Sequence, residues 1–216
     1  MAIGDHLRDV QDLYGSPKCP HTNAVLIAAG EKGVDLNCHA ETDWGPSGSI
    51  RGMSPLGIGP ILKDRSATNY GLIACLSYLD DKGFGPSLVH RNGVTRARMF
   101  QEVGVAAQTD VSDDASLAAA LDILDTTLGT DLGNMRGDYV CGQYTLADAA
   151  WAGVCQVATN MGKGNAVSSR SRVNTWFASV QSHPSTSKEA INPFSCMATK
   201  ADHDAGSMRE VRINTA

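Results

Sequence analysis

The residues best suited to do chemistry lie in the stretch 13–26, LYGSPKCPHTNAVL. Cys19 stands directly before Pro20, and apolar Ala24, Val25, Ile27 and Ala28 follow at helical spacing. Proline suits the first position of a helix, because its missing N–H has no intrahelical acceptor to lose. The N–H groups left free there, together with the helix dipole, favour negative charge. A thiol at such a helix mouth is a candidate nucleophile, and Lys18 adds a cation beside it. His21, two residues on, falls in the first turn, within reach of either the thiol or solvent. A surface histidine and an inert loop cysteine are the plainer alternatives, and both stay open at this stage.

The other thiols carry less. Six cysteines stand at 19, 38, 75, 141, 155 and 196, with no C-x-x-C pair and no Cys/His cluster at zinc spacing, so no metal site is expected. Cys75, Cys141 and Cys155 sit among apolar residues and are expected to be buried, whereas Cys38 and Cys196 give no signal. The pattern suits a reducing compartment rather than a disulfide framework.

The elements that must position Cys19 follow from pattern. A strand opens near Leu13 and Tyr14, a turn follows at 15–17, and a helix runs over 20–32, ending at Gly30 and Gly33. A second strand is expected over 34–39, a Gly/Pro/Ser-rich loop over 41–55, a strand over 59–64, its hairpin partner over 67–70, and a helix over 71–82. This β-α-β, β-β-α order predicts a mixed four-stranded sheet with helices. Residues 83–92 are rich in Gly and Pro without periodicity and read as a linker. Beyond it only helical patterns appear, at 94–108, 116–128, 145–159 and 172–182. The expected division is a lead-in at 1–11, an α/β domain at 12–82, the linker at 83–92, an all-helical domain at 93–192 and a polar tail at 193–216.

The net charge of −5 argues against nucleic-acid binding, which needs a basic surface. No apolar run is long enough to span a bilayer, and no basic-then-apolar leader opens the chain, so a cytoplasmic address is expected.

Four segments together resemble the glutathione transferase superfamily, over about residues 12–190. The first is LYGSPKC with AVLIAAGEKG: the family's catalytic Ser or Cys falls at Cys19, and a Cys-Pro pair resembles classes that carry out thiol transfer. The second is SPLGIGPIL at 54–62, similar to the family segment that carries a cis proline. By that resemblance Pro60 is cis and the backbone of Gly59 faces the cysteinyl part of glutathione, although the family usually has a branched apolar residue at 59. The third departs from the pattern. Gly71 and Leu72 fall where the family has Glu-Ser, the pair that holds the γ-glutamyl end. Neither can supply a carboxylate or hydroxyl, and each lost charge-assisted bond costs roughly 1.5–3 kcal/mol. The fourth is YTLADAAWAG at 144–153, with Thr145 as N-cap and Asp148 completing a capping box, joined by Trp176 as a core anchor in RVNTWFASVQSHPS.

The resemblance implies a thioredoxin-like domain plus an all-helical domain, with Gly59, Pro60, Gly71, Leu72 and Arg51 around glutathione as co-substrate, Arg51 at its glycine end beside Trp44. It also implies a homodimer or a subunit of a larger assembly, and an apolar second substrate in the cleft. The activity implied is glutathione-dependent thiol transfer or conjugation by Cys19. The alternative is a catalytically degenerate protein kept for structure or assembly, as the altered Gly71–Leu72 pair suggests.

Overall fold

The structure is a computed structural model, and residues 10–41, 45, 48–130 and 137–183 are described. Trp44, Cys196, Pro184 and the tail at 193–216 lie outside these residues, as does most of the lead-in.

Four strands form one sheet in the order β2-β1-β3-β4. They are β1 (Gln11–Gly15), β2 (Leu36–Ala40), β3 (Ile61–Lys63) and β4 (Thr68–Tyr70). β1 and β2 are parallel, while β1–β3 and β3–β4 are antiparallel. Alternation along β1 points Leu13 into the core and leaves Asp12 and Tyr14 on the other face. There His39 of β2 stacks on the Tyr14 ring with centroids 4.5 Å apart and bonds Asp12 at 2.9 Å through Nε2. The sheet and its helices are the thioredoxin-like arrangement expected, with β1 longer and β2, β3 and β4 shorter than the sequence suggested.

Helix α1 (Pro20–Glu31) joins the parallel pair β1 and β2. Every residue from Thr22 to Gly30 is buried, because the sheet, helix α2 (Leu72–Lys82) and a helix of the second half all pack on it. The apolar spacing read from the sequence therefore marked one side of a helix that has no wet side. Among the described residues five more helices follow: α3 (Gly93–Gln108), α4 (Asp114–Leu128), α5 (Leu146–Ala158), α6 (Gly164–Ser168) and α7 (Ser171–Ser182). A wide turn at Thr159–Lys163 leads from α5 into α6. The sequence reading missed α6 and a short 3-10 turn at Ser49–Gly52 inside the expected loop.

Helix α5 is buried along its whole length and forms the second core with α3 on one side and α1 on the other. Its start is held by Asp148, whose Oδ2 accepts the Thr145 N–H at 2.9 Å and hydroxyl at 3.1 Å. Oδ1 accepts the Val140 N–H and the Trp176 indole N–H, both at 2.9 Å. One carboxylate thus ties the capping turn, the preceding loop and α7 together.

Segment 83–92 is irregular but firmly tied. Asp80, at the end of α2, accepts from buried Lys32 at 3.0 Å, the Ser87 hydroxyl at 2.6 Å and the Leu88 N–H at 2.7 Å. Lys32 also donates to the Pro86 carbonyl at 3.0 Å, and its own carbonyl accepts the Phe84 N–H at 2.8 Å. Leu88 in turn accepts the Leu146 N–H at 3.2 Å, which carries the connection into α5.

Candidate functional site

Cys19 is the N-cap of α1, with extended backbone and no side-chain cap. It is half-buried, whereas Cys38, Cys75, Cys141 and Cys155 are buried free thiols. Burial pushes Cys75, Cys141 and Cys155 up to about 12, so at neutral pH these three hold their protons.

Two polar residues just inside α1 shape the turn that presents Cys19. The Ser16 N–H donates to the Thr22 hydroxyl at 3.2 Å. The Asn23 side-chain amide donates to the carbonyls of Pro17 at 3.0 Å and Cys19 at 2.9 Å. Thr22 and Asn23 are each only 1% exposed. A buried Thr-Asn pair in an otherwise apolar helix was the available sequence signal for this role, and it reads equally well as a solvated patch.

The Gly59–Pro60 peptide bond is cis. The Pro60 carbonyl accepts the Gly71 N–H at 2.9 Å, which sets the β3–β4 hairpin against the start of α2. Gly71 is the N-cap of α2 with φ +81, a left-handed backbone that glycine adopts freely. It offers no side chain to cap the helix, and Leu72 behind it is 6% exposed. The N–H groups of Leu72, Ile73 and Ala74 have no acceptor among the described residues.

A cavity of about 800 Å³ opens at this junction, lined by His21, Ile58, Tyr70, Ile73, Ala107 and the backbone around Gly59 and Gly71–Leu72. Gly59, Gly71 and Leu72 of the expected set line it, and Pro60 does not. Cys19 is not among its lining residues, and neither is Arg51, which is exposed on the Ser49–Gly52 turn. The residue of the first turn of α1 that lines the cavity is His21. Its Nε2 lies 2.9 Å from the Ala107 carbonyl. A carbonyl only accepts, so Nε2 carries the hydrogen, and the neutral ring keeps a lone pair at Nδ1. Burial lowers His21 below its ordinary value, against the opposing pull of the Ala107 bond. The surface role expected for His21 is therefore replaced by a bond that joins α1 to α3.

Among solved structures, the chain is similar to a Nilaparvata lugens delta-class glutathione transferase, at 22% identity and TM-score 0.69, covering 86% of this chain and 94% of that one. It is similar to glutathione transferase F2 from Populus trichocarpa at 20% identity, with TM-score 0.66, covering 86% and 99%. It is also similar to a maleylacetoacetate isomerase from Methylobacterium extorquens AM1 determined with bound malonate and glutathione, at 17% identity and TM-score 0.70, covering 85% and 96%. No protein-family model matches the chain, and no curated protein matches it. The fold is that of the glutathione transferases: a thioredoxin-like sheet layer joined to a helical domain. No described helix is long and apolar enough to cross a membrane.

Proposed function

We propose that this is a glutathione transferase-like protein whose remaining chemistry is thiol transfer at Cys19, with glutathione as a loosely held co-substrate. The observation that carries the reading is the placement of Cys19: a half-buried thiol at the mouth of a twelve-residue helix, while the other four described cysteines are buried. A disulfide can reach the sulfur there, at the start of a helix, while burial shields the other four. In the step itself, the Cys19 thiolate attacks the glutathionyl sulfur of a mixed disulfide. The Cys19–glutathione disulfide forms, and the other thiol leaves as a thiolate that takes a proton from water. A second glutathione thiolate then attacks that disulfide, releasing oxidised glutathione and regenerating Cys19. Exchange of this kind needs an accessible sulfur more than tight binding. Conjugation asks more, because glutathione must be held by both ends, and Gly71 and Leu72 contribute neither carboxylate nor hydroxyl.

The same reading keeps 12–82 and 93–192 as domains joined by 83–92, places the protein in the cytoplasm, and pairs the chain with a second copy or a larger assembly. Exposed apolar Leu56, Ile58, Tyr70 and Ile73 at one end of the sheet and α2 support an association surface. They also favour the second reading, a scaffold or assembly subunit that has given up turnover. Calorimetric titration with glutathione, followed by mass analysis after exposure to oxidised glutathione, separates the two. A glutathione adduct on the wild type that is lost in Cys19→Ser supports thiol transfer. No adduct and no heat at millimolar glutathione supports the scaffold.

A further inference from the structure

Among the described residues, the cavity at the start of α2 carries no formal charge on its walls. Its side chains are Ile58, Leu72, Ile73, Ala74 and Ala107, plus the Tyr70 phenol and the neutral His21 imidazole. Lining of this kind desolvates whatever enters and offers an ammonium group no more than the Tyr70 hydroxyl and the His21 lone pair, where a buried ammonium needs a carboxylate or several aimed oxygens. Gly71 stands where the one carboxylate would have come from, and the space a Cβ would occupy there is open, with nothing within 4 Å. Beyond the Tyr70 hydroxyl and the His21 ring, the polarity at the α2 end is of one kind. Leu72, Ile73 and Ala74 all line the cavity, and their backbone N–H groups are donors without acceptors among the described residues. The volume of about 800 Å³ is within the range of small-molecule sites.

We propose that this cavity binds a small apolar molecule with a hydrogen-bond acceptor at one end, a carbonyl or a carboxylate, and no ammonium group. The acceptor end lies at the first turn of α2, and the apolar body lies between Ile58, Ile73 and Ala107. The inference shares its cleft with the thiol-transfer reading but rests on the wall chemistry, not on Cys19. It makes the γ-glutamyl end of glutathione, which carries an ammonium beside its carboxylate, a poor occupant.

A matched set of naphthalenes tests this by equilibrium dialysis at neutral pH: 2-acetylnaphthalene, 2-naphthoate and 2-(aminomethyl)naphthalene. The expected result is that the ketone, the carboxylate or both bind about tenfold or more tighter than the amine. A preference for the ketone alone identifies a carbonyl ligand, and a preference for naphthoate alone identifies an acid. Ile73→Asp places a carboxylate on an exposed wall position and is expected to reverse the order in favour of the amine; circular dichroism checks that the variant is folded. Ala74→Trp, also at an exposed position, is expected to weaken all three by filling the space. Equal binding of the three by the wild type, tighter binding of the amine, or an Ile73→Asp profile identical to wild type overturns the proposal. The two readings fail separately. A glutathione adduct on Cys19 with no acceptor preference leaves thiol transfer standing and removes this site, and the opposite pair of results does the reverse.

Discussion

Gly153 of α5 lies directly against Pro20 of α1. A Cβ at 153 would overlap the Pro20 carbonyl oxygen and come within 2.8 Å of the Ala24 backbone nitrogen. Two buried helices from the two halves of the chain therefore meet backbone to backbone, one turn from the candidate thiol.

Gly153→Ala is expected to destabilise the protein by about 1–3 kcal/mol, because neither backbone can yield without moving its helix. The urea midpoint measures this. The N-terminal turn of α1 must give way first, so the alkylation rate of Cys19 should change as well. An unchanged midpoint and rate would show that the crossing is looser than described.

Thiol reactivity follows from burial. In a Cys196→Ser background, one thiol per chain is expected to react within minutes with a disulfide reagent at pH 8, and peptide mapping should place it at Cys19. Cys75, Cys141 and Cys155, raised to about 12 by burial, should react only after unfolding. Fast reaction of two or more thiols in the folded protein would contradict this.

Asp80→Ala removes the acceptor of buried Lys32 and leaves the Ser87 hydroxyl and Leu88 N–H without their partner. A cost of about 3–5 kcal/mol is expected, as when one member of a buried pair is deleted. Burial raises the Asp80 carboxyl, but the bonds from Ser87, Leu88 and Lys32 outweigh it, and the net shift is downward. The folded state therefore holds its proton less tightly than the unfolded chain. The stability from Asp80 is present above the ordinary value of 3.8 and is lost as pH falls through the depressed one. Denaturation of wild type and Asp80→Asn between pH 3 and 6 reads the difference, which should shrink toward low pH.

Asp148 behaves oppositely. Full burial raises it to about 6 against the pull of its four hydrogen bonds, so between about 3.8 and 6 the folded state holds the proton more tightly than the unfolded one. Its contribution is complete below 3.8 and falls as pH rises through 6, by about 3 kcal/mol in all. In Asp148→Asn, which cannot titrate, this part of the pH dependence should vanish. The same slope in both proteins would show that Asp148 keeps an ordinary value.

The sheet, the helical second half and the capping turn at Thr145 and Asp148 could be read from the chain because their signals are local. Turn residues, period and a cap three residues apart all fall within one element. The missed residues owe their roles to distant partners. Asp80 sits in a DDK run that reads as a solvated helix end, yet its partner Lys32 is 48 residues away. His21 reads as a surface side chain until Ala107, 86 residues on, is brought beneath it. Thr22 and Asn23 look like the wet side of a helix, and only packing on every side of α1 turns them into fasteners for the Cys19 turn. The substitution of Gly71 and Leu72 was visible as a departure, but the cavity it leaves required the fold.

The open space beside Gly71 has a bearing on engineering. Among the described residues, nothing lies within 4 Å of where a Cβ at 71 would stand, so space does not bar a larger side chain there. The backbone does bar it: φ +81 with ψ 156 is a combination confined almost wholly to glycine, so an acidic side chain at 71 would have to move the start of α2 with it. A carboxylate grafted into this cleft is therefore accommodated more readily at Ile73, on regular helix, than at 71.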